Sequence, residues 1–147
     1  MAMETQPTYE DVNLILRLFE LRREEKMRQA RAWFAKSFKI SKPEEYNTLC
    51  PPGSEQDAYF RMIVSYWEMV ASFVTSGVLH QELFFQSGGE LLFVWERISE
   101  LVPWWREGFK NPNLARNHEM VAKNYADWMY KNSPGAYAAF QARVRGM

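Results

Sequence analysis

The sequence predicts an all-α protein, an antiparallel helical bundle of four main helices with short helices in the connections between them. Apolar residues recur at intervals of three and four over several long segments, which is typical of helices with a buried face. No segment alternates apolar and polar residues for long enough to predict a strand. Hydrophobic residues make up 47% of the 147 residues, enough to build the core of a single helical domain over residues 1–147.

The first main helix is expected near residues 8–38. Thr8, followed three residues later by Asp11, is a variant of the capping box that starts many helices. The first three turns are apolar on two faces: Val12, Ile15, Leu16 and Phe19 form one face, and Leu14, Leu18 and Leu21 form the other. Both faces need cover, and the core of one molecule supplies cover for one of them. We therefore expect residues 8–22 to project as an association segment, with Leu14, Leu18 and Leu21 at the interface of a homo-oligomer.

The second main helix is expected near residues 55–76. Prolines and a Pro-Pro-Gly sequence within residues 41–53 block helix continuation, so this stretch predicts a loop with a short turn near residues 44–49. Ser54 supplies a capping hydroxyl at the start of the helix. Gly77 stands where a left-handed residue ends a helix, which predicts the end of this one.

Two further main helices and two short ones complete the predicted bundle. The main helices are expected near 89–106 and 112–131, and the short helices near 79–86 and 134–145. Pro103 lacks the N–H that would bond to the carbonyl of Ser99, so it kinks or ends the third main helix. Asn111-Pro112 and Ser133-Pro134 each combine a capping residue with a proline at the first helical position. Short connections favour antiparallel neighbours.

The middle of the chain carries a set of aromatic and glycine motifs. They run from Tyr66-Trp67-Glu68 through residues 70–74 to Gly77-Val78-Leu79, and continue to Trp95 and Trp105-Arg106. Over residues 60–107 the sequence resembles a bacterial domain-of-unknown-function family of short helical proteins. The resemblance implies a helical fold and brings no established activity.

Members of that family often carry an N-terminal membrane helix, from which this sequence departs. Its most apolar early stretch, residues 12–21, is ten residues long and includes two charges, whereas a membrane-spanning helix needs about 20 apolar residues. No basic segment followed by an apolar run marks a secretory signal. We therefore expect a cytoplasmic protein without a transmembrane segment.

The charges balance overall but are unevenly placed. The chain has 18 basic and 18 acidic residues, with a net charge of +6 in residues 17–42 and −7 in residues 43–100. Segments of opposite sign attract each other, either within one molecule or between two. The basic residues are scattered around the first helix and interrupted by glutamates, which argues against nucleic-acid binding.

The sequence contains no recognisable motif for catalysis or metal binding. The two histidines lack the Glu-x-x-His pairs of di-iron bundles and the spacing of zinc proteases. Cys50, the one cysteine, lies in the Pro-rich loop, with nothing in the sequence to activate its thiol. We therefore expect no catalytic residues, no metal and no cofactor. These patterns favour a non-enzymatic role over an enzymatic one, and both are kept as hypotheses.

Two hypotheses for function follow from these patterns. The leading one is a non-catalytic interaction module that self-associates through its N-terminal helix. An unidentified protein is a further candidate partner. The alternative is a small-molecule binder or enzyme that uses an aromatic-lined pocket between helices. The pocket would be lined by Trp67, Trp95, Trp105, Tyr125 and Trp128, with polar groups from Glu68, Arg106 and His118. A core packed with large side chains would account for the same aromatic residues.

Overall fold

The computed structural model describes residues 5–146, and this part of the chain contains nine α-helices and no strand. The helices are α1 (Tyr9–Arg22), α2 (Glu25–Ser37), α3 (Tyr46–Leu49), α4 (Glu55–Thr75), α5 (Gln81–Phe85), α6 (Gly89–Ile98), α7 (Leu101–Gly108), α8 (Arg116–Asn132) and α9 (Ala136–Gly146). A 3-10 turn at Pro43–Glu45 precedes α3. The predicted all-α class is confirmed.

The prediction of one helix over residues 8–38 is wrong, because the chain forms two helices that meet at Arg23 and Glu24. Glu24 leaves the helical conformation, and its carboxylate accepts hydrogen bonds from the backbone N–H groups of Lys26 and Met27, both at 3.0 Å. It therefore acts as the N-cap of α2. A glutamate is not a typical capping residue, which is why the break could not be predicted from the sequence.

The predicted third main helix, 89–106, is also divided. α6 ends at Ile98 and α7 begins at Leu101, so Pro103 is the third residue of the new helix. A proline removes the hydrogen bond to the carbonyl four residues earlier, here that of Ser99, and its ring crowds that carbonyl. The break predicted from Pro103 is therefore confirmed. It lies at Ser99, whose carbonyl cannot accept a hydrogen bond from the proline nitrogen.

The last main helix begins later than the predicted residue 112, at Arg116. The side chain of Asn111 accepts a hydrogen bond from the N–H of Asn113 at 3.0 Å, so it closes a turn instead of capping a helix. Ala115 precedes the helix with a left-handed φ of 57°. By contrast, Gly77 has a φ of 84° just after α4, which confirms the predicted end of that helix.

α4 lies at the centre of the fold, between α2 and α8. Its side chains at Phe60, Ile63, Trp67, Val70 and Ala71 are buried. The same core includes residues of α1, α2 and α5 to α8. α6 packs against α8 and α9, and α1 packs at the edge of the bundle beside α2. Within residues 5–146, no helix combines the length and the apolar character needed to cross a membrane.

Candidate functional site

Three polar residues of the predicted pocket meet around the first turn of α8. The carboxylate of Glu68, from α4, accepts hydrogen bonds from the backbone N–H of His118 at 2.8 Å and from the side-chain amide of Asn117 at 2.7 Å. The Nε of Arg106, from α7, donates to the carbonyl of Leu114 at 2.8 Å. The structure therefore places Glu68 and Arg106 against the chain at or just before the start of α8, whereas the ring of His118 bonds to the carbonyl of Leu91 in α6.

His118 is fully buried. Its Nε2 donates to the carbonyl of Leu91 at 2.8 Å, and its ring lies 5.4 Å from that of Trp95. Burial disfavours the charged imidazolium and lowers the pKa of His118 to about 4. At neutral pH the side chain is an uncharged donor that joins α8 to α6.

The aromatic residues of the predicted pocket pack tightly. Trp67, Trp95 and Tyr125 are buried, and the Tyr125 hydroxyl donates to the carbonyl of Phe85. Trp128 is half-buried, with its ring perpendicular to that of Tyr125 at 5.8 Å. The cavity beside Trp67 measures about 10 Å³, at most the space of a single water. These side chains fill the space between the helices.

Trp105 faces a different space, a groove of about 270 Å³ between the α3 region, α4 and α7. Trp104 and Phe109 also line this groove and expose 39% and 70% of their surface. At its polar edge, Asp57 accepts the Tyr46 hydroxyl at 2.8 Å and pairs with Arg61, also at 2.8 Å. Burial and the bond to Asp57 raise the pKa of Tyr46 well above its usual value. The predicted pocket grouped Trp105 with Trp67, and the structure separates them, because Trp105 borders this groove while Trp67 lies in the core.

The predicted interface residues of α1 have three different environments. Leu18 lies in the core with 6% of its surface exposed, and Leu14 is half-buried against the core, whereas Leu21 is 41% exposed. The core therefore covers the Leu14 and Leu18 side of the helix. The opposite apolar side points outward at Tyr9, Val12 and Leu16, which we call the outer stripe.

The three side chains of the outer stripe are all exposed. Tyr9 exposes 77% of its surface, Val12 41% and Leu16 57%. The three residues stand at intervals of three and four, so they lie along one side of the helix. Val12 and Leu16 belong to one of the two apolar faces that the sequence pattern predicts. The buried side of the helix carries Asp11, Leu18 and Arg22, which follow one another at intervals of seven and four residues.

α1 is fixed to the bundle at both ends. At its start, the Asp11 carboxylate accepts the backbone N–H groups of Thr8 at 2.7 Å and of His80 at 2.9 Å. These bonds lower the pKa of Asp11. In its second half, the hydroxyl of Tyr66 donates to the carbonyl of Leu18 at 2.6 Å, and burial raises the pKa of Tyr66 to about 12.

Ion pairs within the molecule join the oppositely charged segments of the chain. Glu90, at the start of α6, pairs with Arg22 at 3.2 Å and with Arg31 at 2.8 Å. The guanidinium of Arg22 also lies 4.1 Å from the centre of the Phe19 ring, a cation–π contact. Arg145 of α9 pairs with Glu96 at 3.4 Å. Part of the charge asymmetry is therefore neutralised inside one molecule.

Cys50 is 1% exposed, and burial raises the pKa of its thiol to about 11. A thiol in this state is a poor nucleophile at neutral pH, because little of it is ionised. Within residues 5–146, no three side chains of His, Cys, Asp or Glu lie together in a group that could hold a metal ion.

Comparison with known proteins gives one match. The model of a family described as a domain of unknown function, DUF4760, matches residues 7–128. Neither the curated proteins nor the solved structures give a match. The family match covers α1 to α7 and most of α8, and it includes the region that the sequence motifs had indicated.

Proposed function

The chain belongs to the DUF4760 family, a domain of unknown function, and we propose that it is a non-catalytic interaction protein that self-associates through α1. The outer stripe carries this proposal. Large apolar side chains that lie together on a protein surface favour contact with another protein, because burying them removes apolar surface from water. Tyr9 and Leu16 are among the most exposed large apolar residues in the described part of the chain.

The anchoring of α1 also supports this proposal. Asp11, Leu18 and Arg22 hold the inner side of the helix against the bundle, so the outer stripe is presented on a fixed surface. A surface that is ordered before binding loses less conformational entropy on association.

The polar residues near α8 support a structural role for that region. Glu68 accepts a backbone N–H of α8, Arg106 donates to the carbonyl of Leu114 in the turn before α8, and the Nε2 of His118 donates to a carbonyl of α6. The Glu68 carboxylate is thus engaged at the start of α8, and the ring of His118 is fully buried, so neither group is presented to a substrate as a general acid or base would be.

Sedimentation equilibrium tests the proposal. The wild-type protein is expected to show a concentration-dependent mass above that of the monomer, and Leu16→Asp is expected to shift it to the monomer, because a carboxylate would be desolvated in the contact. Tyr130→Asp is the matched control, since Tyr130 is 64% exposed on α8, away from the stripe. A wild-type protein that stays strictly monomeric at tens of micromolar would rule out self-association.

A second candidate function is small-molecule binding in the groove lined by Trp104, Trp105 and Phe109. The exposed aromatic surface favours a ligand with an aromatic or aliphatic body, and the Asp57–Arg61 ion pair at the edge of the groove offers polar contacts of both signs. A thermal-shift screen tests it, since a ligand at 100 times its Kd adds about 2.7 kcal/mol to the free energy of unfolding. Trp104→Ala should abolish the shift, with Tyr130→Ala as the control. No stabilisation by any aromatic or aliphatic compound in a broad set would count against this function.

A further inference from the structure

We propose that a cleft between the end of α2, α6 and α9 binds a small oxyanion, a carboxylate or a phosphate group, on the guanidinium of Arg97. The cleft, which we call the Arg97 cleft, has a volume of about 230 Å³. Its charged lining consists of Lys39, Glu96, Arg97, Glu100 and Arg145. None of these residues belongs to α1, so the site is independent of the proposed self-association.

Contacts on one side hold the guanidinium of Arg97 in place. Its Nη1 donates to the carbonyl of Phe38 at 2.8 Å, just after the last turn of α2. The same nitrogen lies 3.4 Å from the carbonyl oxygen of Phe34 and 3.5 Å from that of Ala35. The guanidinium carbon also lies 4.8 Å from the centre of the Phe93 ring, a cation–π contact. The position of Arg97 is therefore set before any ligand binds.

The other edge of the same guanidinium has no partner. Nε and Nη2 of Arg97 are buried, and neither forms a hydrogen bond within residues 5–146. The other buried side-chain nitrogens without a partner in this part of the chain belong to Trp67, His118 and Trp128, so Arg97 is the one member of the set that is charged at neutral pH. Nε and Nη2 lie side by side and form the fork that holds two oxygens of a carboxylate or a phosphate. An oxyanion at this edge would supply the acceptors that both nitrogens lack.

The charge of Arg97 also lacks a counter-charge. Both glutamates of the cleft pair with Arg145 instead, Glu96 at 3.4 Å and Glu100 at 3.9 Å. Burial without a carboxylate lowers the pKa of Arg97, although a guanidinium stays charged at neutral pH. Within the described residues, neither Arg97 nor the exposed Lys39 forms an ion pair, so two cations at the cleft remain to attract an anion.

The size of the cleft favours a small ligand. Sites that enclose drug-sized molecules usually measure about 300–1,000 Å³, so the Arg97 cleft suits a free oxyanion or a small metabolite that carries one. Because Nε and Nη2 are shielded from water, an oxyanion would reach them after a small movement of side chains at the cleft. The long side chains of Lys39 and Arg145 are exposed and can make this movement.

Titration of the full chain with inorganic phosphate, and separately with acetate, tests the site at constant ionic strength. The Nε–H resonance of Arg97 in a ¹H–¹⁵N spectrum is expected to shift and to saturate, with a Kd of about 1–10 mM or tighter for at least one of the two ions. The ion that binds more tightly identifies the class of oxyanion. Backbone amide shifts of residues 39–41 provide the Kd for variants that lack the Arg97 resonance.

Two variants and a control locate the binding. Arg97→Lys keeps a positive charge but lacks the fork, so the Kd is expected to rise about tenfold or more. Lys39→Gln removes an exposed cation of the cleft, and the Kd is expected to rise about threefold. Lys123→Gln removes a cation of α8 that is 70% exposed and lies outside the cleft, and the Kd should stay unchanged.

Three results would overturn the oxyanion site. One is the lack of a saturable shift with either ion up to about 50 mM, which is well above the expected Kd. Another is a shift of residues 39–41 at saturation while the Nε–H resonance of Arg97 stays in place. The third is an equal rise of the Kd in Lys39→Gln and Lys123→Gln, which would show attraction to surface charge alone. Circular dichroism checks the fold of each variant, and if Arg97→Lys is unfolded, the wild-type resonance and Lys39→Gln still decide.

Discussion

His118 illustrates how burial sets the chemistry of a single side chain. The ring lies between α8 and α6 with no exposed surface, and its hydrogen bond to Leu91 is to a neutral carbonyl. Among residues 5–146 no carboxylate contacts the ring, so none of these residues offsets the loss of hydration that a charged imidazolium would suffer. The pKa of about 4 in the folded state therefore lies well below the value of about 6.5 expected for an unfolded chain.

This difference predicts a loss of stability in mild acid. Between pH 6.5 and pH 4 the unfolded chain binds a proton at His118 that the folded chain does not bind, so the free energy of unfolding falls as the pH is lowered. We expect a loss of about 3 kcal/mol across this window and no effect of His118 above it. Urea unfolding at a series of pH values measures the slope.

His118→Gln is the matched variant for this measurement, because Gln keeps a side-chain donor but does not titrate. Its unfolding free energy should be flatter between pH 6.5 and pH 4 than that of the wild type. Equal slopes for the two proteins would show that His118 is protonated in the folded state and would contradict the effect assigned to burial.

At the scale of the helix, α8 depends on a residue from another helix for its N-terminal cap. Ala115, the residue before the helix, has no side-chain hydrogen-bonding group, and its backbone is left-handed. Glu68 of α4 takes its place, since it accepts the N–H groups of Asn117 and His118. A negative charge here also interacts favourably with the helix dipole.

Glu68→Gln is therefore expected to destabilise the protein by about 1–2 kcal/mol, because it removes the charge from two backbone hydrogen bonds at a partly buried helix end. Denaturant unfolding measures the loss, and hydrogen exchange should locate it in the first turn of α8. Glu107→Gln, on the exposed surface of α7, should change stability by less than about 0.5 kcal/mol. Equal effects of the two changes would argue against the capping role.

The rotation of α1 about its own axis decides which of its sides is exposed. The buried residues of α1 lie on one side of the helix, since Leu18 is seven residues after Asp11 and four before Arg22. A rotation of the helix that buries one of these residues therefore buries all three. Two of these residues are polar, and each is bound to a partner in the bundle. The outer stripe is exposed as a consequence.

Across the whole molecule, Glu90 connects three helices. Its carboxylate lies at the start of α6 and pairs with Arg22 of α1 and Arg31 of α2. These contacts bridge the break between α1 and α2, where the backbone itself changes direction. They also join the basic and acidic segments of the sequence within one chain.

Glu90→Gln should lower the free energy of unfolding by about 2 kcal/mol, because it leaves a mostly buried guanidinium at Arg22 without its counter-charge. Hydrogen exchange should rise in α1 and stay unchanged in α8. For comparison, Glu100→Gln removes an exposed contact to Arg145 and should have an effect below about 0.5 kcal/mol. A uniform rise in exchange along the chain would show that Glu90 does not act specifically on α1.

The helical positions of α4 could be predicted closely from the sequence. Its apolar residues follow a single helical stripe, Ser54 caps its start and Gly77 follows its end, and the structure agrees at each point. The break between α1 and α2 could not be predicted, because the cap at Glu24 is an unusual one and the contacts of Glu90 come from a residue about 60 positions away.

The sequence by itself determined the helical class, the residues of the central helix and the existence of two apolar faces on α1, because these follow from spacing along the chain. Tertiary structure alone decided which of those faces is buried, and it decided that the tryptophans at the centre fill a core while Trp104 and Trp105 border a groove. The physical reason is that burial depends on the neighbours that other helices provide. The periodicity of the sequence shows which residues share a face of the helix, and packing against the other helices decides which face is buried.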